Sequence, residues 1–447
     1  MKTIVWILLA MITSVITSVP AALAEGPASL TLGDAVNTAL RHNRPLLSEG
    51  EKLKAAEAGI GEARAAFLPK ADVSETFVRS DNPVTVFGSK LNQGDFQASD
   101  FAIDKLNSPS PINDFNFRVQ VIQPLFNGGK EILGYRRAKL ALESAKMKHE
   151  RARMETAYET VQAYWGVALA GEYIKTAKQA EKSTEKHLKL AQALYGQGMI
   201  LRSEVLLAKV HLADVEEMLI KAENREATAK AALNMILGRP QDAQLTIADP
   251  LAYSPFPAGS LESLQAEALK DRPDLKGMKF NVENMGEGVK LAQTDYLPDI
   301  NLIGRYDRNS EDAFGHGGDS YTIMGRLTWN VFDGFLTTSR VREARARRNA
   351  ASYMYGQMKE GALFEVRKAY NDLREAKKRM DVESAAVKEG RESLRIITKR
   401  FGAGMAKSLD VIDADTALTR ARTNYASALY DYNVSEAALR LAIGEKY

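Results

Sequence analysis

One numerical offset organises this 447-residue sequence. Gln162-Ala163-Tyr164 returns 206 residues later as Lys368-Ala369-Tyr370, and Phe126-Asn127-Gly128 returns at the same interval as Phe332-Asp333-Gly334. Tyr195-Gly196-Gln197-Gly198-Met199 has its counterpart in Phe401-Gly402-Ala403-Gly404-Met405, and Leu237-Gly238 in Ile443-Gly444. A constant offset held over so long a stretch marks an internal duplication, so the two halves must share one fold. Upstream the offset becomes 229, pairing Phe67-Leu68-Pro69 with Tyr296-Leu297-Pro298, so the first copy holds 23 extra residues between Pro69 and Phe126.

Each copy is dominated by very long helices. From Lys130 to Tyr195, and again from Leu336 to Phe401, there is no Pro and little Gly. At ~1.5 Å rise per residue such a segment reaches about 100 Å, far beyond a globular helix. Apolar heptads run along it: Val366, Leu373, Met380, Val387, Leu394, Phe401 in the second copy, and Thr160, Val167, Ile174, Glu181, Leu188, Tyr195 in the first. Val205, Leu212, Leu219 and Leu233, matched by Val411, Leu418, Tyr425, Tyr432 and Leu439, repeat the period on returning helices. A seven-residue repeat keeps one seam against a partner helix, which predicts coiled-coil packing. The Gly-rich turns at 196–198 and 402–404 fold each copy into a long hairpin, and a rod or tube suits such hairpins better than a globular bundle.

Between Pro69 and Pro124, and between Pro298 and Asn330, the period falls to two. Phe115, Phe117, Val119 and Val121 alternate with Asn116, Arg118 and Gln120; Tyr321, Ile323, Leu327 and Trp329 alternate with Thr322, Arg326 and Thr328. Ile300, Leu302 and Tyr306 alternate with Asn301, Arg305 and Asp307, whereas Ala71–Ser80 alternates poorly around Glu75. The pairs bracket turn-rich loops at 81–112 and 308–319. Strands of about ten residues, apolar on one face and polar on the other, meet the needs of a transmembrane barrel, although a half-buried soluble sheet looks similar. Export favours the barrel. Met1-Lys2-Thr3, the apolar run Ile4–Val19 and Ala22-Leu23-Ala24 before Glu25 read as a signal peptide, and no later apolar run is long enough for a spanning helix. Four strands fall short of the ~8 of the smallest bacterial barrels, so the barrel must be shared between protomers.

Other classes find little support. A formal charge of +3 argues against a nucleic-acid partner, and the absence of Cys excludes disulfides, thiolate metal sites and a lipid anchor. His42, His149, His187, His211 and His316 show no ligand spacing, and Gly128-Gly129-Lys130 lacks the rest of a phosphate loop. No enzyme, cofactor or metal centre is expected. A periplasmic adaptor or coiled-coil scaffold is the other non-enzyme reading, but an adaptor needs one hairpin and no membrane-length strands.

Two helical hairpins, each with a two-stranded insertion, resemble the TolC-like outer-membrane efflux proteins over nearly the whole chain. The markers are Phe67-Leu68-Pro69 and Tyr296-Leu297-Pro298 before the strands, and Gln123-Pro124-Leu125-Phe126-Asn127-Gly128-Gly129 and Trp329-Asn330-Val331-Phe332-Asp333-Gly334 after them. The two Gly-x-Gly tips and Leu409-Asp410-Val411-Ile412-Asp413-Ala414 complete the set. The resemblance implies a mainly α homotrimer in which twelve strands close one outer-membrane β-barrel and the helices continue it as an α-helical barrel across the periplasm. It implies a passive exit duct for efflux or type I secretion, with a periplasmic adaptor, an inner-membrane pump and outer-membrane lipid as partners. Glu25 stands where lipidated relatives have Cys.

The resulting layout is a signal peptide at 1–24, a first repeat at 25–238, a linker at 239–273, a second repeat at 274–444 and a tail at 445–447. Strands are expected at 70–80, 113–123, 299–307 and 320–330, and hairpins at 130–237 and 336–443. By resemblance the tube closes where the hairpins coil inward, with Asp410 and Asp413 ringing the constriction. Their spacing of three puts both on one helix face, and acids there also complement the helix dipole. A family Tyr that bonds an acid on the first hairpin is Phe401 here, opposite Glu204. A family Arg falls at Ala406, beside Lys407, with Ser203 as its partner position; Lys407 or Arg202 is the candidate substitute. Gly198, Met199, Ile200, Gly404 and Met405 at the tips are the expected adaptor-docking surface.

Overall fold

The computed structural model describes residues 29–313 and 315–446. The expected signal peptide and Tyr447 lie outside them.

Two helices of 67 residues, α5 (Lys130–Gly196) and α9 (Leu336–Gly402), run the length of the helical part. Shorter helices pair with each of their halves. Toward the hairpin tips α6 (Arg202–Ile236) and α10 (Ser408–Ile443) return along them, giving the lateral order α6, α5, α10, α9. Toward the sheet α2 (Arg44–Ala65) and α8 (Pro273–Gln293) take those places, giving α2, α5, α8, α9. The protomer is therefore one curved layer of four helices at every level. A single layer has no core of its own on its open sides: Tyr353, Met354 and Phe364 on α9 and Val210 and Ile220 on α6 remain exposed. Among the described residues no helix is long and apolar enough to cross a membrane.

Around mid-length, the chain before and after the first copy wraps the layer. α1 (Leu32–His42) is N-capped by Thr31, and Leu30 bridges to Ile247. Tyr164 is fully buried there, 2.8 Å from Asp249 Oδ2, and its hydroxyl accepts from the Asp249 N–H. Burial pushes its pKa up to about 12. The segment expected as a linker holds α7 (Leu261–Asp271), capped by Ser260.

The four strands form one antiparallel sheet in sequence order: β1 (Lys70–Ser80), β2 (Ile112–Asn127), β3 (Asp299–Ser310) and β4 (Gly318–Thr328). β2 outlasts its expected end at 123 because a register shift at Pro124/Phe126 absorbs the missing proline donor. β4 begins earlier than expected and stops before Trp329. The segment 81–112 is not the plain loop its composition suggests: Asn82 and Pro83 start α3 (Pro83–Gln93), and α4 (Ile103–Asn107) follows.

Register separates two faces. Val73, Val119 and Tyr306 line up on one; Asp72, Gln120 and Arg305 line up on the other. β1 and β4 are open edges, an arrangement no membrane tolerates unless the sheet closes on further copies. The protein is therefore expected to need detergent and to scatter light as a trimer. A monodisperse, detergent-free monomer would contradict the shared barrel.

Candidate functional site at the hairpin tips

Both tips are built alike. α5 ends with Gly198 at φ +74° and the Met199 N–H on the Leu194 carbonyl at 2.9 Å; α9 ends with Gly404 at φ +74° and the Met405 N–H on Arg400 at 2.8 Å. A left-handed residue with this backward bond is the cheapest way to stop a helix, and it favours glycine. The two tips touch, since a Cβ on Gly404 would lie 3.7 Å from Met199 Cε.

Phe401 joins them. Its ring is 1% exposed in a cluster with Ala191, Leu194, Val205 and Val411, which draws on α5, α6, α9 and α10 together. Above this apolar plug lies a polar bridge. Glu204, in the first turn of α6, does not cap its own helix. Its Oε2 instead accepts the backbone N–H of Ser408, the first residue of α10, at 2.8 Å. The Ser408 hydroxyl lies 2.7 Å from His187 Nε2 on α5, and the His187 ring packs 4.8 Å from Phe401. Ser408 is completely buried, so its N–H depends on Glu204 for a partner.

One turn deeper, Thr184 donates to Asp415 Oδ2 at 3.2 Å, and His211 Nε2 lies 3.7 Å from the same oxygen. His187, His211 and Asp415 line one small cavity. Burial, and then the neighbouring His211, hold the His187 pKa below its ordinary value, against the opposing pull of Asp415 and Glu204.

Asp410 and Asp413 lie elsewhere. Both are exposed, on the side of α10 away from buried Val411 and Asp415. Asp410 accepts the Lys407 N–H at 2.8 Å as a helix cap, while the Asp413 side chain is exposed. Ser203, Arg202 and Lys407 are exposed, and among the described residues neither Arg202 nor Lys407 forms an ion pair; the hydrogen bonds that cross between the hairpins near the tips are Glu204–Ser408, His187–Ser408 and Thr184–Asp415. Gly198, Met199, Leu201 and Met405 are exposed and Ile200 is half-buried, leaving an apolar tip open to a partner. Sequence reasoning sets His187 and His211 aside as lacking ligand spacing and does not single out Ser408 or Asp415. A signal existed: His187 and His211 stand twelve residues either side of Met199, so an antiparallel hairpin must bring them level.

Comparison with known proteins supplies the context. The family model described as outer membrane efflux protein matches residues 35–239 and 264–445. The alkaline protease secretion protein AprF of Pseudomonas aeruginosa is 25% identical, over 94% of this chain and 86% of its own. Protein CyaE of Bordetella pertussis is 23% identical, over 93% and 84%. Among solved structures, CusC superposes with a TM-score of 0.79 at 15% identity, covering 95% of this chain and 96% of that one. The outer-membrane channel OprN gives 0.78 at 19%, covering 93% and 90%.

Proposed function

This chain belongs to the outer membrane efflux protein family and is an outer-membrane exit duct of an efflux or secretion system, and on that premise we propose that the hairpin tips are its gate, held closed by Glu204 across the hairpin seam. The duct works with an adaptor and an inner-membrane pump, and three copies complete its barrels. The observation that carries the gate is the Glu204–Ser408 bond: an acid of one hairpin caps the buried helix start of the other, so parting the hairpins must strip that N–H.

Asp410 and Asp413 supply the second element. Exposed within one protomer and three residues apart, they bring six carboxylates toward the axis when three copies assemble. Such a ring attracts cations and holds polyvalent ones. Met199, Leu201 and Met405 form the face against which the adaptor docks, and the apolar side of the sheet meets outer-membrane lipid.

A planar-bilayer measurement tests this. The purified trimer should conduct weakly, prefer cations and be blocked by trivalent cations added at the tip side. Changing both Asp410 and Asp413 to Ala should abolish the block and reduce the cation preference while the trimer stays intact. If the double variant is blocked like the parent, the acids serve only the helix start.

A further inference from the structure

The residues that only the first copy carries lie between β1 and β2, at the end of the sheet remote from the long helices. In an outer-membrane duct that end is extracellular. The inserted helix α3 does not project outward. Ser89 Oγ lies 3.1 Å from Asp114 Oδ2, and Gln93 Nε2 donates to Asp114 Oδ1 at 3.0 Å and to the Asn113 carbonyl at 2.8 Å. Asn309 donates to both oxygens of the same carboxylate at 3.1 Å. Asp114 shares its face of β2 with Asn116 and Arg118, and Asn309 shares its face of β3 with Asp307. This is the polar face, which in a membrane barrel points to the lumen.

The helix also crosses three strands of the protomer's sheet, β2, β3 and β4. From Asp114 on β2 it reaches β4, where a Cβ on Gly318 would fall 2.0 Å from the Asn92 carbonyl oxygen. Ser89 on the helix and Asn309 on β3 are both buried at this crossing. On the helix's other side, Lys90 pairs with Asp100 at 2.8 Å, and Phe87, Phe96 and Phe101 stack edge to face, so the insertion is a compact unit. Its grip on the wall is largely polar, and where water takes the partner's place as the helix leaves, each such bond contributes only about 0.5–1.5 kcal/mol net.

We propose that α3 is a lid inside the extracellular mouth, three copies of which narrow the exit and swing off Asp114 to let cargo leave. This rests on the outer-membrane duct assignment but not on the gate at the tips. It makes the duct closable at both ends, with size selection at the exit set by a segment that the second copy lacks.

The chain's lack of cysteine makes the test direct. Gln120→Cys places one thiol on the lumenal face below α3, and Asp95→Cys places one on the exposed insertion. Intact cells are treated from outside with a small charged maleimide and with a polymer-linked one, so neither reagent passes the tip gate. The small reagent should label both positions. The wide one should label Asp95→Cys quickly and Gln120→Cys slowly, and freeing the lid should raise that slow rate by about tenfold, as loss of the anchoring bonds shifts the open fraction. The lid is freed by Ser89→Ala with Gln93→Ala, or by replacing 83–107 with a short Gly-Ser link. Equal wide-reagent rates at Gln120→Cys in parent and both variants would overturn the lid. Failure of even the small reagent to label it anywhere would overturn the lumenal assignment, and the lid with it.

Discussion

Val119→Arg is expected to abolish the assembled trimer in the outer membrane, while Gln120→Arg leaves it near wild-type amounts. The two residues are neighbours on β2 at one depth, so only the face differs. Val119 stands between Val73 and Tyr306 on the apolar side, with no carboxylate opposite it on either strand. An Arg facing lipid near the midplane costs about 2–4 kcal/mol, and a trimer meets that cost three times, enough to exceed the few kcal/mol that separate folded from unfolded states. Gln120 stands between Asp72 and Arg305 on the polar side, where a new guanidinium has water and the Asp72 carboxylate. Trimer recovery from outer-membrane fractions measures both. Equal recovery would mean that the sheet does not span a membrane.

The second large effect lies at the tips. Glu204→Ala leaves the Ser408 N–H buried without a partner, and a hydrogen bond to a charged group contributes about 1.5–3 kcal/mol. The closed-to-open ratio of each protomer should fall by a factor of roughly 10 to 100, and single-channel conductance should rise accordingly. Glu204→Gln keeps an acceptor and should restore much of the closure. The same bridge sets a pH response. His187 faces Ser408 and Asp415 on α10, Glu204 and His211 on α6, and the Phe401 ring on α9. Its pKa is depressed when buried, so the closed tip holds fewer protons than the parted one. Closure is fully favoured above the ordinary histidine value of 6.5 and weakens as pH falls from there through the depressed one. Conductance should rise over that acid window, and His187→Gln should flatten the rise. A parent response identical to that of His187→Gln would remove His187 from the gate.

The heptads show where sequence reading succeeds and where it drifts. Val366, Leu373, Met380 and Phe401 are buried as their spacing requires. In the first copy Ile174, Glu181 and Leu188 are only half-buried and Tyr195 is exposed. The buried positions there are Ala177, Thr184 and Ala191, with Ala180, His187 and Leu194 beside them. A helix of 3.6 residues per turn drifts against a strict repeat of seven, and small or polar residues on the true seam gave no apolar signal to correct the phase. The insertion was misread on similar grounds: Asn, Pro and Ser mark turns, yet Asn82 and Pro83 also open α3.

Periodicity, a constant repeat offset and proline placement are local or statistical properties of the chain, and they alone determined the duplication, the two long hairpins, the four strands and the need for further copies to close them. Contacts between distant segments depend on how helices rotate and stack, which no local pattern records. Only the tertiary structure could decide that Glu204 caps Ser408 across 204 residues, that His187 and His211 converge on Asp415, and that the inserted helix packs onto Asp114.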